Sequence, residues 1–171
     1  LAESSRILSV RGQVVPATTE NINLSVRLKD GNLITGESKV KDSLSEIEEL
    51  IMDPPNAAAS PTAINAINNA DLIVIGPGSL YTSILPNLMV PSIVEAITKS
   101  KAAKYYICNV ATELGETQNF TVGKHIEVLE NYLGSTVLDV IIANDNIEDI
   151  GDQFLGEAVK LNTNLTKHVI L

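Results

Sequence analysis

Three short apolar runs, each separated from the next by a helix-patterned stretch, constrain this chain more than any other feature. They are Leu72-Ile73-Val74-Ile75, Tyr105-Tyr106-Ile107-Cys108 and Val137 to Ala143. Each is far shorter than the roughly 20 residues a membrane helix needs. All three read as strands, and the first, uninterrupted, is of the kind buried on both faces of a parallel sheet. Val90, Ile93, Val94 and Ile97 fall at helical spacing between the first two runs, and Val122, Ile126, Leu129 and Leu133 do so between the second and third. Gly134 stands where a helix would stop. Upstream, Ser60-Pro61 opens a shorter helix with Ile64 and Ile67 on its buried face. One strand and one helix about every thirty residues is the spacing of consecutive βαβ units. The pattern predicts an α/β fold with a mostly parallel, doubly wound sheet.

The first third has a different rhythm. Leu24, Val26 and Leu28 alternate with polar residues, and Lys29-Asp30-Gly31-Asn32 leads into Leu33 and Thr35. Asp-Gly between such runs predicts a hairpin with a two-residue turn. Glu46 to Met52 adds a strand, which Asp53-Pro54-Pro55-Asn56 ends because proline cannot donate to a ladder. The expected organisation is a single α/β domain over residues 1–171, with a hairpin-rich portion (1–56), a βαβ portion (57–145) and a tail (146–171). The helix candidate in that tail is Phe154 to Val159. Because Leu1 leads without a Met into the apolar stretch Ile7-Leu8-Ser9-Val10, a piece of a longer chain is expected.

A formal charge of -9 with no Lys/Arg-rich run opposes association with polyanions, so nucleic acid is not an expected partner. Neither a membrane span nor a secretory signal is recognisable. Cys108 is the single cysteine, so no intrachain disulfide can form, and a buried, inert thiol in a reducing, cytoplasmic setting is expected. Strand edges around residues 21–39 leave homo-oligomerisation open.

Open α/β sheets bind ligands beyond the carboxyl ends of their strands. After Ile75 comes Gly76-Pro77-Gly78-Ser79-Leu80-Tyr81-Thr82-Ser83, and Asn87 lies a turn further on; after Cys108 come Asn109, Thr112, Glu113, Glu116 and Thr117; after Ala143 come Asn144 and Asp145. Gly76 and Gly78 allow a sharp turn and close approach of a ligand to the backbone. A helix starting near Ser79 would offer free N–H groups to a phosphate or carboxylate. This is not a phosphate-binding loop of the Gly-Lys-Ser/Thr type, nor the Gly-x-Gly-x-x-Gly fingerprint, nor a Gly-x-Ser-x-Gly nucleophile elbow. A hydrolase reading would pair Ser79 with His125 and Glu116. No Lys or Arg occurs from Asp71 through Thr98 or from Tyr105 through Gly123, so a diphosphate would need amides, a metal or distant basic residues. Glu113 and Glu116 are candidates for sugar hydroxyls or Mg²⁺.

The segment Ala70 to Leu88, with Gly12-Gln13-Val14-Val15-Pro16-Ala17-Thr18, Asp30-Gly31, Gly36-Glu37-Ser38, Tyr106-Ile107-Cys108-Asn109, Gly115-Glu116-Thr117 and His125, closely resembles the YvcK-like proteins. These are often called gluconeogenesis factors and share a superfamily with the CofD 2-phospho-L-lactate transferases. The resemblance covers about residues 7 to 145 and implies a Rossmann-like, cytoplasmic bacterial protein. It further implies binding of UDP-sugars such as UDP-N-acetylglucosamine and a regulatory link to gluconeogenic growth and cell shape. On this reading the ligand-binding residues are Gly76, Pro77, Gly78, Ser79, Leu80, Tyr81, Thr82, Ser83, Asn87, Asn109, Thr112, Glu116 and Thr117, with no resident metal or cofactor. The alternative it implies is a CofD-like transferase joining a phospho-acid to an activated nucleotide with Mg²⁺. Where the family has Gln, this chain has Glu113, so a role for Glu113 is not inherited. The family's N-terminal Gly-rich turn, double-Asp-Gly segment and Gly-His/Gly-Asn stretch have no counterpart here, which likens the chain to the C-terminal half. Lys167-His168 is similar to a basic-His pair near the family's C-terminus.

Overall fold

The computed structural model describes residues 12–36, 40, 45–148, 151, 154–161 and 169–170. Ile7 to Val10 and Lys167-His168 lie outside them. Among the described residues there are two sheets joined by one apolar core.

The first sheet is antiparallel. Asn23–Leu28 (β1) pairs with Leu33–Thr35 (β2) on one side and Ile47–Asp53 (β3) on the other. Alternation along β1 sends Val26 and Leu28 into the core with Leu50 and Met52 of β3. The hairpin turn differs from the expected two-residue form. Gly31 N–H donates to Leu28 O and Leu28 N–H donates to Asn32 O, both at 2.9 Å, so Lys29, Asp30 and Gly31 all belong to the loop. Gly31 at φ +87° supplies the left-handed residue with which such a loop rejoins its strand.

The second sheet is parallel. After Pro61–Asn68 (α1) come Leu72–Ile75 (β4), a π-helical turn Leu80–Ile84 continuing into Leu85–Leu88 (α2), Pro91–Lys99 (α3), Ala103–Ile107 (β5), Val122–Leu133 (α4), Val140–Ile142 (β6) and Val169–Ile170 (β7). The spatial order is β4-β5-β6-β7, all parallel. Val122, Ile126, Leu129 and Leu133 of α4 are all buried, Thr121 Oγ1 caps its start by accepting from Lys124 N–H, and Gly134 at φ +90° ends it. Ser60 occupies the N-cap position of α1 with Pro61 at its first turn, although the Ser60 hydroxyl bonds Thr62 instead of the backbone.

Two expectations are corrected here. The described helices form one layer: α1 packs on α3, α3 on α2 and α4, and α2 on α4. Strands in sequential order joined by crossovers of one hand place their helices on one side, so this part of the sheet is singly wound. Ile75, Tyr106 and Ile141 point into that layer and are buried, whereas Leu72 and Val74, expected to be buried, are 48% and 47% exposed on the opposite face. In addition, Phe154 to Val159 is no helix. It runs extended past the segment after β5, with Thr112 N–H donating to Glu157 O and Val159 N–H to Val110 O. No single described helix is long and apolar enough to cross a membrane.

Candidate functional site

The parallel register places the residues after β4 beside those after β5, and the two segments are tied by a chain of hydrogen bonds. Gly76 turns the chain at φ +77°, and a Cβ there would stand 2.7 Å from Ile107 O, so glycine is required. A cis Gly76–Pro77 bond follows. Gly78 N–H donates to Asn109 Oδ1 at 3.1 Å, and Asn109 Nδ2 donates back to Gly78 O at 3.0 Å. The same Nδ2 reaches Glu113 Oε1 at 3.0 Å, and Ser79 Oγ donates to Glu113 Oε2 at 2.6 Å. Deeper in, Glu116 accepts from Tyr81 N–H at 3.0 Å and from Thr82 Oγ at 2.7 Å. Thr117 Oγ1 accepts from Glu113 N–H, which holds the acidic turn in shape.

This geometry changes the electrostatic reading of the loop. Its helical start was expected to present free N–H groups to an anionic ligand. Instead the Glu116 carboxyl group, 3% exposed, already occupies that start and accepts the Tyr81 N–H. Burial pushes its pKa up, the bonds from Thr82 and Tyr81 pull it down, and the nearby Glu113 charge raises it again. With no basic residue in either segment, the exposed end of the site offers hydroxyl, amide and carboxylate groups, and these suit uncharged hydroxylic ligand parts better than phosphate.

The sequence-predicted residues separate by depth. Gly76, Gly78, Ser79 and Asn109 are half-buried, and Pro77, Ser83 and Asn87 are exposed, with Asn87 Nδ2 donating to Ser83 O. Leu80, Tyr81, Thr82, Thr112, Glu116 and Thr117 are buried. Leu80 is core, and the Thr112 hydroxyl accepts from Glu157 N–H. Asn144 follows the neighbouring strand β6, but its side chain bonds locally to Asn146 O. The proposed triad does not form: Ser79 bonds Glu113, while His125 Nδ1 lies 2.9 Å from Thr121 O within α4. Burial lowers the His125 pKa, and its ring meets Phe120 edge-on, which in turn meets Tyr81. Cys108 is buried and pushed up to about 11 by burial, in keeping with an inert thiol. Behind Tyr81, a cleft of about 380 Å³ between β3 and α4 carries Lys29 and Lys124, both paired with neighbouring glutamates.

Sequence reasoning missed the central position of Glu113, which joins Ser79 to Asn109. The four-residue interval from Asn109 to Glu113 was a usable signal, since a turn brings such residues together.

Fold and site define a Rossmann-like α/β protein with a glycine-rich turn after a parallel strand. The family model for 2-phospho-L-lactate transferase CofD matches residues 1–166, and the chain belongs to that family. It is 42% identical over 153 residues to the gluconeogenesis factor of Bacillus subtilis, covering 90% of this chain and 48% of that protein. The gluconeogenesis factor of Halalkalibacterium halodurans is also 42% identical, over 144 residues, with 84% and 45% covered. Among solved structures, a UPF0052 family member from Bacillus halodurans matches with a TM-score of 0.86 and 38% identity, over 98% of this chain and 57% of that one. This chain spans about half the length of the curated relatives it matches.

Proposed function

We propose that this chain contributes a nucleotide-sugar-binding crevice to a regulatory protein of the gluconeogenesis-factor type, acting in gluconeogenic growth and cell-shape homeostasis. The observation that carries the reading is the direct joining of the two post-strand segments, Gly78 to Asn109 and Ser79 to Glu113, at the end of the sheet where α/β proteins bind ligands. The exposed groups favour the sugar over the diphosphate. Hydroxyls of a bound sugar can exchange with Ser79 and Asn109 for the Glu113 carboxylate, while phosphates would rely on groups outside these segments. The family relationship and the names of the relatives support the regulatory role.

Calorimetric titration with UDP-N-acetylglucosamine tests this reading. The isolated chain is expected to bind weakly. In the presence of the rest of the family fold, binding is expected to be saturable and to weaken about tenfold in Ser79→Ala or Asn109→Ala. Unchanged binding in both variants would remove the loop from the site.

The name of the family model favours a second reading, a transferase using Mg²⁺. Among the described residues no three His, Cys, Asp or Glu side chains gather as a metal cluster, and Mg²⁺ at such a site would need only one or two carboxylates beside the substrate's phosphates. Turnover of a nucleotide-activated substrate by the full-length protein would support it.

A further inference from the structure

The cleft between β3 and α4 has a volume of about 380 Å³, enough for a small organic molecule. Its lining combines three aromatic rings, Tyr81, Phe120 and Tyr132, with the aliphatic side chains of Ile47, Leu50 and Val128. Tyr81 and Phe120 meet edge-on with their centroids 6.4 Å apart. The charged residues of the lining are exposed and form its rim. Lys29 is paired with Glu46, Lys124 with Glu127, and Glu49 with Arg27. Each ammonium group of the rim therefore already has an anion beside it, whereas Glu48 belongs to none of these pairs. Tyr81 is 8% exposed and its N–H is held by Glu116, yet among the described residues its hydroxyl has no hydrogen-bond partner. Burial first, then Tyr132 and the charges of Glu116, Glu46 and Glu127, push the Tyr81 pKa up to about 12. The hydroxyl keeps its proton and remains a donor, and the surrounding potential is one that favours positive charge.

We propose that this cleft is a second ligand site, for a small organic cation made of an aromatic ring and a protonated amine. The ring packs against Tyr81, Phe120 and Tyr132, and the ammonium group lies beside Glu48. Three features of the cleft select this chemistry. Aromatic walls attract both a flat apolar ring and a cation near their faces. Glu48 offers an ammonium group a carboxylate that no protein cation neutralises, and a carboxylate ligand of the same shape would face Glu48 with no free ammonium to offset it. The unpartnered Tyr81 hydroxyl can donate to an acceptor atom on the ring system, which satisfies a polar group that is otherwise buried without a partner.

The test uses three probes of one shape and different charge: tryptamine, tryptophol and indole-3-propionate. The chain contains no Trp, so indole fluorescence anisotropy reports the probe alone. Tryptamine is expected to bind saturably and about fivefold more tightly than neutral tryptophol at low salt, a preference that added salt reduces because Glu48 is exposed. Indole-3-propionate should bind more weakly than either. Glu48→Gln, a change at an exposed position that leaves the core untouched, should bring tryptamine down to the affinity of tryptophol. Amide chemical-shift changes on adding tryptamine should centre on Ile47, Val128 and Tyr132. The proposal is overturned if tryptamine does not saturate, if tryptophol or indole-3-propionate binds as tightly, or if the preference for tryptamine survives Glu48→Gln. Shifts centred on Gly78 and Asn109 instead would also overturn it, since they would place the probe in the crevice after β4 and β5.

Discussion

Thr82 and Glu116 are held 2.7 Å apart, hydroxyl to carboxylate, at the buried start of the helical turn that follows β4. The other oxygen of Glu116 takes the Tyr81 N–H, so one acidic side chain from the segment after β5 satisfies two donors from the segment after β4.

Removing that carboxylate should loosen both segments. Glu116→Ala leaves the Tyr81 N–H and Thr82 hydroxyl without their acceptor and is expected to cost about 1–3 kcal/mol in urea denaturation. Glu116→Gln keeps one acceptor oxygen and should cost less. Because the folded pKa of Glu116 lies above its ordinary 4.5, the folded state takes up the proton first. Stability from this group therefore rises as pH falls through the folded pKa towards 4.5 and is lost as pH rises again, and the Gln variant should lack that response.

His125 should act in the opposite direction. Burial holds its folded pKa below the ordinary 6.5, so the unfolded chain binds the proton first. Its contribution is complete above 6.5 and declines as pH falls through that value towards the folded pKa. His125→Phe should remove this decline, seen as a stability difference between variant and wild type that shifts in the variant's favour from about pH 7 to about pH 5.

Gly76→Ala is expected to destabilise the protein by at least about 1–2 kcal/mol, from left-handed backbone strain alone. Contact with Ile107 O adds to that. Displacing the loop should also break the Ser79 to Glu113 bond, which a parallel loss of ligand affinity would register.

Gly156→Ala should act locally. A Cβ at Gly156 would fall 2.0 Å from Thr112 O, so the extended strap must lift from the segment after β5. Faster hydrogen exchange at Thr112 and Val159 N–H, with exchange in α4 little changed, is the expected signature.

The strands β4, β5 and β6 and the helices α3 and α4 are legible in the sequence because their apolar residues follow the pattern of the element they form, whereas β7 lies in a tail whose pattern assigns no element. Val122, Ile126, Leu129 and Leu133 share one helix face however the helix is later packed. The hairpin turn was read one residue short, since its length depends on which pair of backbone groups closes it, and Lys29-Asp30-Gly31 suits either closure. Phe154 to Val159 was misread because two turns of apolar spacing carry little information against a neighbouring edge that can take its N–H groups.

Local pattern alone determined the parallel sheet, the glycine-dependent turn at Gly76 and the absence of basic residues around it, since each follows from residue type and period. Only the tertiary structure decided that Glu116 fills the helix start, that Glu113 joins Ser79 to Asn109, and that Leu72 and Val74 face outward. Hydrogen-bond partners more than thirty residues apart, and the side of a sheet that helices cover, depend on how strands pair and in what order, which no local periodicity encodes.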